Sequence, residues 1–234
     1  MESRSTGEAL VHVVPGLKVL YFGTPVVLLS TVNPDGSANL APMSSAWWLG
    51  QTAVLGMGDR SQTAANLWRE RECVLNLPSS AMVSAVDRIA MTTGRADVPS
   101  GKRAQGYRYV ADKFALGGLN RQPSEVVAPP RVAECPIQLE CRVTGTHPLT
   151  EPGLRATAYQ VEVVRVHVDE DLIIEGTAYV DPLRWDPLIM KFTEFFGGGV
   201  NVHPSRLAAG WGMPPVEEAV RGAYAASTGR TGSP

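Results

Sequence analysis

The stretch STVNPDGSANLAPMSSAWW, residues 30–48, decides the fold. Its centre, Asn33 to Ser37, reads as a turn: Pro34 fixes one φ, Asp35 offers a side-chain acceptor, and Gly36 is free to take positive φ. Apolar runs lie on both sides, VLYFGTPVVLLSTVN (19–33) before it and ANLAPMSSAWWLG (38–50) after it. Together they predict a β-hairpin, and TAVLGMG (52–58) predicts a further strand.

Strand patterns continue along the chain in CVLNLPS (73–79), ECPIQLECRVTGTHPL (134–149), ATAYQVEVVRVHV (156–168) and DLIIEGTAYV (171–180). Helical patterns fall at 63–71, 81–90, about 101–115 and 187–196. Strands and helices do not alternate strictly, which argues against a doubly wound sheet. The expected class is mainly β with peripheral α: an antiparallel barrel, closed or split.

The chain has 234 residues, 44% of them hydrophobic. A domain of that size buries roughly 70–75% of the surface its unfolded chain exposes. The net charge of −2 comes with no basic stripe and no polybasic or amphipathic segment, so neither nucleic acid nor a membrane surface is an expected partner. The N-terminal MESRSTGEALVHVVPG lacks the layout of a secretory signal. VLYFGTPVVLLS (19–30) is broken by Gly23, Thr24 and Pro25, short of the ~20 apolar residues of a membrane helix. A cytoplasmic location is the expectation.

Cys73, Cys135 and Cys141 have neither CxxC spacing nor a histidine placed to complete a zinc site, so no metal is expected. Period-two alternation in AECPIQLEC puts Cys135, Ile137, Leu139 and Cys141 on one side of a strand, and Gln138, Glu140 and Arg142 on the other. Buried core thiols are the expected reading. His12, His147 and His203 read as surface residues. No Ser has the G-x-S-x-G context and no carboxylate pair stands out. After Trp211 the chain turns to Pro, Gly, Ser and Ala and ends STGRTGSP, which predicts a mobile tail.

DRSQTAANL, residues 59–67, crowds short polar groups at the start of a helix. Ser61 is a fair N-cap, and Thr63 and Asn66 at i, i+3 share a face on which their side chains can converge. A helix N-terminus offers unpaired N–H groups and partial positive charge, and Arg60 adds a full one. The segment reads either as a phosphate site or as an ordinary capped helix.

Set together, Thr31, Asn33, Asp35, Gly36, Asn39, Ala41, Pro42, Met43, Ser44 and Ser45, followed by Gly56, Arg60, Thr63 and Asn66, resemble the flavin reductase-like, FMN-binding split-barrel family. That family has a T-x-N-x-D-G-x-x-N-x-A-P-x-S strand leading to a G-x-x-x-R-x-x-T-x-x-N helix start. DKFALGGLN (112–120), VAPPRVAECPIQLEC (127–141) and AYQVEVVRVHVDEDL (158–172) extend the resemblance over about residues 17–200. It implies a split-barrel domain over 17–212, between an N-terminal extension (1–16) and the mobile tail (213–234).

The resemblance also implies that Ala41 to Ser45 line the flavin ring and ribityl chain, with Asn39 and Trp47 beside the isoalloxazine. Trp47 and Trp48 alternate across a strand, so only one can reach the ring, and core packing is the alternative for either. Asp59, Arg60, Ser61, Gln62, Thr63 and Asn66 would hold the phosphate end. Lys113 would face the flavin or a nicotinamide substrate, or else be a solvated helix lysine. His167 lies where many members carry a Gly-Asp-His signature connected with nicotinamide binding. The signature is missing here, which weighs against efficient NAD(P)H oxidation and leaves flavin binding untouched.

Hydride transfer to flavin is chemistry that the cofactor carries, so a catalytic side chain need not exist. The function implied is an FMN-binding oxidoreductase, with FAD as the alternative cofactor. Its first form is an NAD(P)H-dependent flavin reductase, a homodimer passing reduced flavin or electrons to a partner monooxygenase. Its second is an enzyme that holds FMN tightly and acts on a specific organic substrate or a protein redox partner. A third reading is a non-catalytic module holding flavin or heme.

Overall fold

The computed structural model of the protein describes residues 10–17, 19–149, 153, 155–203, 205, 207, 212 and 213. The expected tail, beyond residue 213, lies outside the described residues. In chain order the elements are β1 (Phe22–Pro25), β2 (Val27–Val32), β3 (Ala38–Met43), β4 (Ala46–Leu49), β5 (Thr52–Gly58), α1 (Gln62–Glu70) and β6 (Glu72–Leu77). There follow α2 (Val83–Ala90), β7 (Thr92–Thr93), α3 (Ser100–Ala104), β8 (Arg108–Tyr109), α4 (Lys113–Gly117), β9 (Arg121–Gln122) and β10 (Arg131–Val132). The last are β11 (Ile137–Leu149), β12 (Ala156–Val168), β13 (Ile189–Lys191) and β14 (Glu194–Phe196).

The turn at 33–37 forms as its residues dictate. Asn33 N–H donates to Ser37 O, Asp35 Oδ1 accepts from the Ser37 N–H at 3.0 Å, and Gly36 takes a φ of +81°. It joins β2 to β3 in antiparallel register, with Thr31 opposite Asn39 and Leu28 opposite Pro42. Seven strands make one antiparallel sheet in the order β3-β2-β6-β11-β12-β5-β4.

The two edges of that sheet, β3 and β4, are consecutive in the chain, and only Ser44 and Ser45 separate them. So short a link spans at most about 10 Å. The sheet must therefore curl until its edges nearly meet, while no ladder joins β3 to β4 among the described residues. This is a split antiparallel barrel, as expected, and the split lies at Ser44–Ser45.

Strand β2 is buried on both faces. Val27 and Leu29 join Leu55, Leu67, Leu75, Leu139 and Val161 inside the barrel, whereas Val26 and Leu28 pack outside it with Leu40, Ile89, Phe114 and Leu188. Fully burying each such side chain is worth about 1.5–3 kcal/mol. The outer layer is built by α2 and α4, and it holds the 92–113 segment against β3.

The structure departs from the sequence reading at four places. The 187–196 helix is instead the β13–β14 hairpin, turned by Phe192 at a φ of +54° and paired to β1 through Thr24 and Met190. The 101–115 helix is two short ones, α3 and α4, parted at Gly106, whose φ is +89°. DLIIEGTAYV forms a 3-10 turn at Glu170–Leu172 and a single bridge between Ile173 and Val180. Cys135 precedes β11 and packs in the outer cluster near Met82, while Cys73 and Cys141 face each other across β6 and β11 in the barrel core. All three thiols are free and buried. His12, His147 and His203 are exposed.

Candidate functional site

The split opens into a cavity of about 320 Å³. The chain crosses the split as Ser44–Ser45, held by Gly56 N–H donating to Ser45 O at 2.8 Å and by Ser45 Oγ bonding Tyr21 OH at 3.0 Å. One wall is Ala41, Pro42, Met43, Ser44 and Ser45, the end of β3 and the link after it. Across from it, β5 ends and α1 begins, bringing Ser61, Gln62 and Thr63 to the same space.

Helix α1 starts where the sequence puts it because Ser61, in extended backbone, accepts the Ala64 N–H on its Oγ at 3.0 Å. Ala65 N–H reaches Ser61 O. The N–H groups of Gln62 and Thr63 remain the uncapped donors of the first turn. Leu67 and Ala64 anchor the helix in the barrel core.

Behind the wall is a buried polar knot. Asn39, 2% exposed, donates to Thr31 Oγ1 at 3.1 Å and to Thr63 Oγ1 at 3.0 Å, and its Oδ1 accepts from Lys113 Nζ at 3.2 Å. Asn66 is fully buried and donates to Thr31 Oγ1 and Asn33 Oδ1, while its own Oδ1 accepts from Gln62 at 2.8 Å and from Arg69. Gly94 lies directly over this knot: a Cβ there would stand 2.4 Å from Asn39 Oδ1.

Positive charge gathers on the cavity. Lys113 is 3% exposed and lines it, as does Lys102. Burial, with the charge of Lys102 adding to it, brings the Lys113 ammonium down to about 8. Lys102 is lowered by burial and by Arg95. Arg95 itself reaches the Arg60 carbonyl at 3.5 Å, tying the 95 loop to the entry of α1. An anion in the cavity would relieve this mutual repulsion.

The structure thus brings Ala41, Pro42, Met43, Ser44, Ser45, Ser61, Gln62, Thr63 and Lys113 to one cavity. Lys113 is not a solvated helix lysine. The others stand apart from the wall. Asn39 braces it from behind, and Asn66 does not line the cavity with Thr63, because its amide is spent on Thr31, Asn33, Gln62 and Arg69. Asp59 accepts from Thr157 Oγ1 at 2.8 Å, turned toward β12, and Arg60 is exposed. Trp47 is 56% exposed on the outside of edge strand β4, and Trp48 packs against the barrel core.

Sequence reasoning missed Lys102, Tyr21, Tyr107 and the Thr92–Gly94 turn, all of which line the cavity. They arrive from segments far from residues 30–67, and only a helical pattern was visible around Lys102. The glycine of Thr92-Thr93-Gly94 was the one local signal, a residue kept small where a side chain would collide.

A family model described as flavin reductase like domain matches residues 19–198. Among curated proteins, the uncharacterized protein YdfE of Bacillus subtilis is 36% identical over 185 residues, 79% of this chain and 88% of that one. Among solved structures, flavoredoxin of Desulfovibrio vulgaris (Miyazaki F) aligns with a TM-score of 0.68 at 21% identity, over 86% of this chain and all (100%) of that one. Nitrilotriacetate monooxygenase component B from Bacillus cereus aligns with a TM-score of 0.66 at 21% identity, over 85% of this chain and 100% of its own. At such identities the two structures speak for the fold.

Proposed function

The chain belongs to the flavin reductase-like family, and from that premise we propose that it is an FMN-binding oxidoreductase whose cofactor occupies the cavity at the barrel split. The observation that carries the reading is that Ala41–Ser45 and the N-terminus of α1 face one space, flanked by Lys102 and Lys113. The donor set suits the group. Phosphate fits the N–H groups of Gln62 and Thr63 and the hydroxyls of Ser61 and Thr63 at the positive end of a helix. The ring and ribityl chain fit along 41–45, where a small and hydroxyl-bearing wall leaves room for a flat group.

When bound, FMN supplies the two-electron chemistry. The protein's part is to hold it. Asn39 keeps Thr63 and Lys113 in place, and Asn66 fixes Gln62, so both act as positioning residues. The Lys113 ammonium offers charge to an anionic ring edge or to the phosphate. Trp47 and Leu49, both exposed on edge strand β4, support a homodimer that would cover them. Among the described residues no helix is long and apolar enough to cross a membrane, and three free buried thiols suit a reducing compartment, in keeping with a cytoplasmic placement.

In the first form of this reading NAD(P)H reduces the flavin, which passes reduced flavin or electrons to a monooxygenase. A second form has FMN held tightly and used on an organic substrate. It is favoured by the missing Gly-Asp-His signature: in that region His167 is instead turned to Glu140, its Nε2 lying 2.7 Å from Glu140 Oε1 across strands β11 and β12. The test is a visible spectrum of the purified protein, an FMN titration, and NADH and NADPH oxidation with and without added FMN. Turnover that rises with free FMN supports the first form, and a yellow protein slow with both nucleotides supports the second. A protein that binds FMN but shows no turnover with any reductant is a binding module, and one that does not bind FMN sinks the reading.

A further inference from the structure

A second recess of about 240 Å³ opens off the cavity. The two spaces share Tyr21, Pro42, Met43, Ser44, Ala90 and Tyr107, so the recess adjoins the β3 end of the cavity and not the α1 end. Its remaining wall is Val26, Val86, Met190 and Phe195. Two of these come from the β13–β14 hairpin, which β1 holds in place by pairing Thr24 with Met190 and Pro25 with Ile189. The hairpin that sequence periodicity hides as a helix is thus one side of this recess.

Polarity separates the two spaces. Lys102, Lys113 and the N-terminus of α1 serve the cavity, whereas no charged side chain lines the recess. An isolated carboxylate, sulfonate or phosphate placed there would lose its water with nothing to replace it. The side-chain protons on the wall belong to hydroxyls, those of Tyr21, Ser44 and Tyr107, which suit carbonyl oxygens. Tyr21 OH is already fixed by Ser45 Oγ at 3.0 Å, at the point where the chain crosses the split. An apolar cavity of about 150 Å³ holds one benzene ring, so the recess has room for one substituted ring or two fused ones.

We propose that this recess binds a neutral, one- or two-ring aromatic electron acceptor of the quinone class, set against the flavin ring. The inference rests on the flavin reading, under which the ring lies along Ala41–Ser45, the wall that the recess shares. Dihydroflavin would give a hydride to the quinone, and a proton would follow. Flavin leaves the step oxidised by two electrons, and the quinone leaves as hydroquinone.

Equilibrium dialysis of menadione and of naphthoquinone sulfonate against the protein, with and without FMN, tests this. Menadione should bind in both states, and with FMN present the sulfonate should bind at least roughly tenfold more weakly. Met190→Trp fills the recess and should weaken menadione roughly tenfold while FMN affinity stays at the wild-type value. Failure of menadione to bind, equal binding of the sulfonate with FMN present, or full menadione affinity in a Met190→Trp protein that melts as the wild type does would overturn the proposal. Should Met190→Trp fail to fold, Phe195→Ala decides. It enlarges the recess and should favour anthraquinone over menadione relative to wild type, and an unchanged preference overturns the proposal. Absence of FMN binding would sink the flavin reading by itself, while the loss of menadione affinity on Met190→Trp still reports on the recess in the flavin-free protein.

Discussion

Lys113 Nζ donates to Asn39 Oδ1 at 3.2 Å inside the fold, and the amide nitrogen of the same Asn39 donates to Thr31 and Thr63. One buried amide therefore sets a cation, a strand and a helix N-terminus against each other. Asn39→Leu would strip the Lys113 ammonium of this acceptor and leave the Thr63 hydroxyl without a donor, while Thr31 keeps only the Asn66 amide. Stability should fall by about 2–4 kcal/mol, read as the urea midpoint at constant slope. A midpoint equal to wild type would mean that the knot contributes nothing.

The Lys113 ammonium gives a pH signature. Burial and Lys102 hold it at about 8, against 10.5 for the free side chain, so between these values the unfolded chain binds more protons than the folded one. Stability of the flavin-free protein then rises with pH across that window, by up to about 1.4 kcal/mol per pH unit from this group. The cost of the buried charge is present in full below about 8 and gone above 10.5. Urea midpoints should show a rise in wild type that Lys113→Met lacks. FMN, an anion, should bind more weakly as pH passes upward through about 8, and the same slope in Lys113→Met would exclude this lysine as its source.

The hairpin at 33–37 and the cap at Ser61 were legible because each depends on its own few residues: a positive φ at Gly36, a hydroxyl placed to meet the Ala64 N–H. The walls formed by 41–45 and 61–63 were legible as a resemblance, since spacing within one segment survives folding. What stayed hidden needed distant chain. Asn66 shares a helix face with Thr63, yet which way that face looks is set by Thr31 and Asn33 on another strand. The 187–196 stretch has apolar residues that fit a helix, but pairing with β1 and the turn at Phe192 win. Lys102 and Tyr107 reach the cavity only because Gly106 breaks the helical pattern between α3 and α4.

Thr63 and Asn66 should part company on mutation. Thr63→Ala removes a hydroxyl from the cavity wall, and FMN binding should weaken by about 1.5–3 kcal/mol, the worth of a hydrogen bond to a charged group. Asn66→Ala leaves partners on Asn33 and Gln62 unmet, so stability should fall by about 2–4 kcal/mol, with FMN affinity falling less than in Thr63→Ala. Parallel FMN titrations and urea melts check this. Equal loss of FMN affinity in both variants would put Asn66 in contact with the cofactor.

Gly94 is a glycine because of what lies beneath it. A methyl there would sit 2.4 Å from Asn39 Oδ1 and 3.2 Å from Gln62 Cβ, both backed by packed structure. Gly94→Ala must push Asn39 away from Lys113 or lift the 92–95 turn off the cavity, at about 1–3 kcal/mol. Melting temperature and FMN affinity should fall together. A variant with wild-type values of both would show that the turn stands off from the knot.

On the far side of the barrel, Glu140 is fully buried and takes the N–H of Glu125 at 2.9 Å, the N–H of Val126 at 2.7 Å and His167 Nε2 at 2.7 Å. Burial pushes its carboxyl up, but the backbone donors and His167 outweigh that and hold it below the ordinary value. A carboxylate so lowered contributes stability above its unfolded value of 4.5, and loses it as pH falls through the folded value. Glu140→Gln replaces an acceptor by an amide whose NH₂ must face a backbone N–H. It should cost about 2–4 kcal/mol at neutral pH and flatten the acid limb of the stability curve. Urea midpoints from neutral pH down into the acid range compare the two proteins. Parallel acid limbs would show that this carboxylate titrates alike folded and unfolded, and that the 123–132 segment is held to the barrel by something else.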